Sequence, residues 1–337
     1  MRRVCICGGG SLGHVIAGWS AAKGKAQVSV FTSRPAEWSS DIVVDTPEGD
    51  ILRGHLEKVS DEPNEVVSTA DVVLLCYPGY LIESALRRLK PFLREDAFVG
   101  CVFSSTGFFF VAREVLEPDQ PLWGFQRVPF IARIGEYGHS AHLLGYKNEL
   151  GVAVENVPLA EKLDFVGFLC DWFERKVNLL DNYYEASLSN SNPILHTSRL
   201  YDMFSGGKVY EEMVYFYREW TESSAELLIK MDEEFFRLLD ALPVRRGFLP
   251  TILDYYESHD AASLAAKLRS IPAFQNITSP MVLGPSGWVP DYTSRYFTED
   301  FPYGLKFICA LAHKKGVPVP TLDRVLEWGM SRIQTLS

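Results

Sequence analysis

Three glycines near the amino terminus are spaced to hold an anion. Val4, Cys5, Ile6 and Cys7 form an apolar run that leads into Gly8, Gly10 and Gly13, the spacing GxGxxG between a strand and a helix. Gly8 permits the tight turn, Gly10 lets the backbone approach a pyrophosphate, and Gly13 lets the helix lie close on the strand. The helix that begins at Ser11 and Leu12 then offers free N–H groups and the positive end of its dipole to the anion. A glycine-rich turn alone is common. Here a second apolar alternation, Val28, Val30 and Phe31, ends at Thr32, about 20 residues past the motif, where such folds read the adenosine ribose. The predicted chemistry is dinucleotide binding, with Gly8, Gly10, Ser11, Leu12 and Gly13 around the phosphates.

Thr32, Ser33 and Arg34 close the second strand, and none is the Asp or Glu that accepts hydrogen bonds from a free ribose 2′-hydroxyl. Arg34 can meet a 2′-phosphate with two parallel charge-assisted bonds, to which Ser33 and Thr32 add neutral ones. The expected cofactor is NADP, with NAD as the alternative. The plainer reading of Arg34 is a solvated surface arginine before Pro35.

Proton chemistry has two candidate clusters. Asn190, Ser191, Asn192 and Pro193 look like a helix start with proline in its first turn, which puts His196 about one turn inside. A lone histidine at such a place is more often a hydrogen-bonded core residue than a catalyst. The second cluster is Gly287, Trp288, Asp291, Arg295, Glu299, Asp300 and Pro302. Thr298 to Pro302 reads as a helix cap, where the dipole favours carboxylates at Glu299 and Asp300, and Arg295 reads as a surface charge. On residue type alone, neither cluster carries a functional claim.

The elements that must position these residues follow an alternating strand and helix pattern. Asp71 to Cys76 is a nearly continuous apolar run, as in a strand buried on both faces, and it ends at Tyr77, Pro78 and Gly79. A helical period covers Ile82 to Leu93, and Phe98 to Phe103 is another buried strand ending in Ser104 to Gly107. Shorter strands are expected at Ile42 to Val44 and Ile51 to Glu57, then at Leu122 to Gln126, His142 to Tyr146, Gly151 to Val154 and Lys176 to Leu179, with a helix from Leu159 to about Phe173. This is an α/β doubly wound parallel sheet, a Rossmann fold, over residues 1–183. Ligands bind such sheets outside the carboxyl ends of the strands, so Tyr77 and Pro78 are expected to border the cofactor. Residues 184–337 read as an all-helical domain, with the clearest helix over Val209 to Leu239, about 45 Å long at ~1.5 Å per residue.

The composition bounds the partners. At 337 residues and 47% hydrophobic content the chain can fill two cores. With 33 Lys plus Arg against 43 Asp plus Glu, the net charge of −10 disfavours nucleic acid and anionic membrane surfaces, so an anionic cofactor must be held by local positive groups. The four apolar residues after Arg3 are too few for a signal-peptide core, and no apolar run is long enough to span a bilayer; a cytoplasmic location is expected. The six cysteines form no CxxC pair and lie mostly in apolar runs, so reduced buried thiols are expected. The seven histidines show no ligand spacing, and no metal is expected.

Over nearly its whole length the chain resembles the opine dehydrogenase family, of octopine and nopaline dehydrogenase type. The segments that carry the resemblance are GGGSLGHV, QRVPFIAR from Gln126, NSNPILHT ending at Thr197, and RYFTEDFPYGL from Arg295, followed by Gly316 to Pro320. The resemblance implies a Rossmann domain followed by a helical domain like that of 6-phosphogluconate dehydrogenases. It also implies NAD(P)H-dependent reductive condensation of an α-keto acid with the amine of an amino acid. Within it, His196 is the general acid/base, Asp300 its carboxylate partner, Arg295 a clamp for a substrate carboxylate, and Gln126 a polar group near the keto acid. A homodimer is possible, since helical domains of this superfamily often pair. Two other readings compete: a ketopantoate-reductase-like enzyme, which would need a lysine that the Asn190 to His196 segment lacks, and an NADP-sensing regulatory protein without catalysis.

Overall fold

A computed structural model of the chain describes residues 1–334. The chain divides into two compact units after Ser187. In order, the first unit runs β1 (Arg2–Cys7), α1 (Ser11–Lys23), β2 (Ala26–Phe31), β3 (Asp41–Asp45), β4 (Ile51–His55), β5 (Lys58–Ser60), α2 (Pro63–Val66), β6 (Val72–Leu75), α3 (Gly79–Leu89) and β7 (Phe98–Cys101). It continues with α4 (Phe108–Val115), β8 (Leu122–Phe125), β9 (Phe130–Ile134), β10 (Ser140–Tyr146), β11 (Glu149–Glu155), α5 (Leu159–Phe173), β12 (Lys176–Leu179) and α6 (Tyr183–Ser187).

The main sheet has eight strands in the order β12-β11-β8-β7-β6-β1-β2-β5. All pairs are parallel except β8 with β11, which is antiparallel. The doubly wound arrangement expected from the alternating pattern is therefore present, with two reversed strands added at one edge. Alternation along β1 shows why both faces need cover. Val4 and Ile6 join the core with α1 and α5, whereas Cys5 and Cys7 join the core with α3 and α4. A second sheet, β4-β3-β10-β9, is inserted between the elements of the first.

The second unit contains α7 (Asn192–Phe204), α8 (Glu222–Asp240), α9 (Ile252–Tyr255), α10 (Ala261–Ser270), the hairpin β13 (Met281–Gly284) and β14 (Gly287–Pro290), α11 (Arg295–Thr298), a π-turn (Phe301–Leu305), α12 (Lys306–Lys314) and α13 (Pro320–Gln334). Two expectations are corrected here. The helix expected over Val209 to Leu239 begins only at Glu222, because the Thr221 side chain caps it by accepting from the Ser224 amide at 3.2 Å. Before that cap the chain is irregular, with Tyr210 bridged to Trp288 and Tyr215 to Thr278. Its aromatic residues Phe216, Tyr217 and Trp220 are buried from a loop, which mimics a helical stripe in the sequence. The unit is also not wholly helical, since the β13–β14 hairpin turns at Gly284 to Gly287. Among the described residues no helix is long and apolar enough to cross a membrane.

Candidate active site

The dinucleotide cradle is built at the carboxyl end of β1. Gly8 has φ +121°, a conformation that side chains avoid, and a Cβ there would lie 3.0 Å from the Cys76 carbonyl and 3.1 Å from the Tyr77 ring. A Cβ on Gly13 would fall 1.9 Å from the Gly8 carbonyl oxygen, so only glycine lets α1 start this close to the strand. Gly10 is exposed and has open space on its Cβ side. It is the N-cap of α1 without a side-chain cap, which leaves the amides of Ser11 and Leu12 at an uncapped helix start. These features fit a pyrophosphate. The Tyr77 ring borders the glycine turn at Gly8, and Pro78 follows it as the N-cap of α3.

A residue that the sequence reading did not single out locks this turn. His14 Nε2 accepts from the Gly138 amide at 2.7 Å, so Nδ1 carries the proton and donates to the Gly10 carbonyl at 3.0 Å. Burial holds this imidazole below its ordinary value against the opposing pull of the Gly10 carbonyl, and the Arg34 charge adds to the lowering. The neutral ring thus ties the β9–β10 turn to the glycine turn. That β-turn carries Tyr137, whose hydroxyl lies 3.4 Å from Thr32 Oγ1. A Cβ on Gly9 would collide with the same hydroxyl. The sequence signal available was position: His14 directly follows the last glycine of the motif.

At the end of β2, Thr32 is buried, whereas Ser33 and Arg34 are exposed. The Arg34 guanidinium lies 3.7 Å over the Tyr137 ring and pairs with Glu37 at 3.2 Å. Gln126 follows β8, with its amide nitrogen 3.5 Å from the Glu185 carbonyl oxygen.

In the second unit the structure brings together two of the residues singled out from sequence. His196 lies on α7, whose first turn contains Pro193, and its Nδ1 is 2.8 Å from Asp300 Oδ2. The two side chains are only 12% and 17% exposed. Asp300 does start a helical turn, but its side chain caps nothing there and goes to His196 instead. The turn is of π type, closed by the Leu305 amide on the Asp300 carbonyl at 2.8 Å. It can approach α7 because Gly304 faces Pro193, where a Cβ would lie 2.5 Å from the proline ring.

The other nitrogen of His196 is also engaged. Nε2 is 2.9 Å from the Tyr217 hydroxyl, and the imidazole is flanked by the rings of Tyr296 at 4.6 Å and Phe216 at 5.6 Å. Since a carboxylate only accepts, Nδ1 carries the proton, and in the neutral ring Nε2 accepts from the phenol. Tyr217 and Tyr296 were not among the sequence candidates; Tyr217 was hidden within the misread helical stripe. Arg295, five positions before Asp300, is exposed, and among the described residues its guanidinium has no ion-pair partner. Among the described residues no group of three or more His, Cys, Asp or Glu could hold a metal.

The arrangement offers two chemistries: an anion cradle for a dinucleotide, and an imidazole with one nitrogen fixed by a carboxylate, suited to proton transfer. Comparisons with known proteins point the same way. Residues 179–332 match the family model described as NAD/NADP octopine/nopaline dehydrogenase, alpha-helical domain, and residues 3–102 match that of NADP oxidoreductase, coenzyme F420-dependent. An opine dehydrogenase of Haliotis discus hannai is 27% identical, covering 96% of this chain and 88% of its own length. A tauropine dehydrogenase of Arabella iricolor is 25% identical, covering 96% of this chain and 89% of its own length. A solved octopine dehydrogenase with NADH and L-arginine shares the fold with a TM-score of 0.87 at 23% identity, covering 99% of this chain and 90% of its own. His196 and Asp300 pair inside residues 179–332, the segment that matches the octopine/nopaline dehydrogenase helical domain, and over nearly its whole length the chain is similar to opine dehydrogenases.

Proposed function

We propose that the protein catalyses the NAD(P)H-dependent reductive condensation of an α-keto acid with the amine of an amino acid, and the reverse reaction. The observation that carries this reading is the 2.8 Å His196–Asp300 contact within the opine-type helical domain. A reduced nicotinamide held by the Gly8 to Gly13 cradle would supply the hydride. The chain's own residues supply the rest. Asp300 fixes the Nδ1–H tautomer, so His196 can hand a proton toward the keto oxygen during water loss and take one back in the reverse direction. The exposed Arg295 fork is suited to grip a substrate carboxylate with two parallel bonds. Gln126 is assigned as a polar contact to the keto acid.

NADP is the proposed cofactor. The Tyr137 face presents the Arg34 guanidinium, and the exposed Glu37 pair that a 2′-phosphate would have to displace is worth only about 0–1 kcal/mol. The relatives are named for different opines, tauropine among them, so the substrate class is proposed and not one amine. Opine-forming activity is tested by mixing the protein with NADPH and panels of keto acids, with and without amino acids, and following the absorbance of the reduced cofactor. Oxidation only when both are present is expected. Oxidation by a keto acid alone would move the chain to the reductases, and none across a broad panel would favour a sensor. His196→Gln is expected to abolish turnover while still binding NADPH; the parent's rate in that variant would overturn the assignment.

A further inference from the structure

We propose that Tyr217 is a further catalytic residue, the group through which His196 exchanges its proton with the substrate oxygen. The proposal rests on the reading of His196 as the acid/base. Both ring nitrogens of His196 are already engaged, Nδ1 by Asp300 and Nε2 by the Tyr217 hydroxyl at 2.9 Å. A substrate oxygen therefore reaches Nε2 either by displacing the phenol or by way of it. The packing opposes displacement. The Tyr217 ring is stacked on Phe274 at 4.3 Å and on Trp220 at 5.7 Å, with interplanar angles of 26° and 16°.

The segment that carries the phenol is also braced by Arg199, one turn after His196 on α7. Its Nε donates to the Phe216 carbonyl at 3.3 Å, Nη2 to the Glu219 carbonyl at 2.7 Å, and Nη1 to Ser224 Oγ at 3.0 Å. Arg199 is 2% exposed, and a guanidinium buried with such partners is costly to dislodge. One helix thus carries both the imidazole and the brace that keeps the phenol on it. Arg199 is a positioning residue.

A phenol hydroxyl both donates and accepts, which suits the intermediate position. With His196 neutral, the Tyr217 O–H donates to Nε2. With His196 protonated, Nε2–H donates to the phenol oxygen, and the phenol's own hydrogen is released for a second acceptor. In synthesis, the carbinolamine formed from keto acid and amine loses its hydroxyl in one concerted step. The phenol proton passes to that hydroxyl as the imidazolium proton passes to the phenol, the C–O bond breaks, water leaves, and the nitrogen lone pair closes the C=N bond. An iminium and neutral His196 result, and Tyr217 begins and ends as a neutral phenol. Burial, followed by the neighbouring Tyr296, Tyr256 and Asp300, pushes its pKa well above that of an ordinary tyrosine, which disfavours a free phenolate along the way.

The test uses NADPH, pyruvate and a panel of L-amino acids, taking the pair with the highest turnover. Tyr217→Phe keeps the ring and its stacking, and is expected to lower kcat by about 10²-fold or more. Its KM for pyruvate and Kd for NADPH are expected within about threefold of the parent, and the double variant with His196→Gln is expected to be no slower than His196→Gln alone. The unmodified protein needs no substitution for a second measurement: a proton inventory in mixed light and heavy water is expected to be curved, because two protons move together. A Tyr217→Phe kcat within about threefold of the parent, or a linear inventory, overturns the relay. An inactive His196→Gln beside a fully active Tyr217→Phe removes the relay alone. A fully active His196→Gln, or no turnover with any pair, removes the acid/base reading and the relay with it.

Discussion

Replacing Asp300 by asparagine removes one charge from the catalytic pair while keeping its shape. The carboxylate lies 2.8 Å from His196 Nδ1, and both side chains are mostly shielded from water, so solvent cannot replace what is lost. If the amide oxygen takes the place of Oδ2, the Nδ1–H bond survives as a neutral one. Both ring forms lose a bond to a charged group, but only the imidazolium also loses its ion pair with the carboxylate, so the protonated ring is weakened by roughly 1–2 kcal/mol more than the neutral one. Through the barrier this is about a 5- to 30-fold fall in kcat for a step that needs the protonated ring. The amide can also turn its nitrogen toward the imidazole. Nδ1 then accepts, the proton moves to Nε2, and the Tyr217 oxygen can accept it. The neutral ring would hold the wrong tautomer, and the loss would exceed that range. The assay is steady-state oxidation of NADPH with a working keto acid and amine pair, with NADPH affinity and melting temperature measured alongside. A kcat within about twofold of the parent, in a variant that binds NADPH normally, would refute the claim that Asp300 acts through the imidazolium.

Arg34→Ala is expected to weaken NADPH binding by about 10- to 150-fold, the equivalent of the 1.5–3 kcal/mol of a charge-assisted bond, while NADH affinity stays nearly constant. Titration with both cofactors checks it; unchanged NADPH affinity would remove the 2′-phosphate assignment. Asp232 gives a pH prediction. Burial raises its pKa from 3.8 to about 6 against the opposing bond from the Ile252 amide, so the folded state binds this proton more tightly than the unfolded chain does. Its contribution is therefore most favourable below about pH 4, declines as the pH rises through about 6, and is flat above. Asp232→Asn, which can keep the Ile252 amide as donor, is expected to raise stability near pH 7.5 by at most about 3 kcal/mol and to change little near pH 3.5, as read from denaturant melts at the two pH values.

Much of the first unit was legible because its signals are local. The buried strand from Asp71 to Cys76 needs only a continuous apolar run, and the structure has β6 there with all four residues buried. The glycine motif was readable for the same reason, since backbone angle and close approach restrict Gly8 and Gly13 to one residue type. His14 was not readable, because its role depends on Gly138, which is 124 positions away in the chain. Val209 to Leu239 failed for a different reason. Apolar residues every three or four positions satisfy a helical template whether they are buried from a helix or from a loop. The Thr221 cap was the local cue that separates the two cases.

Asp300 shows how the same cue can mislead. Carboxylates after Thr298 are what a helix start attracts, and the backbone there does begin a turn. What redirects the side chain is steric and distant: Gly304 lets that turn approach Pro193, and His196 stands about one turn along the helix that Pro193 starts. The pairing of imidazole and carboxylate therefore depends on a glycine with no side chain to offer either of them. A larger residue at 304 would have to push the π-turn from α7, lengthening the 2.8 Å bond even with His196 and Asp300 unchanged. For that reason the short segment FPYGL bears on the chemistry as directly as the acidic residue before it, although only the acidic residue looks catalytic in the sequence.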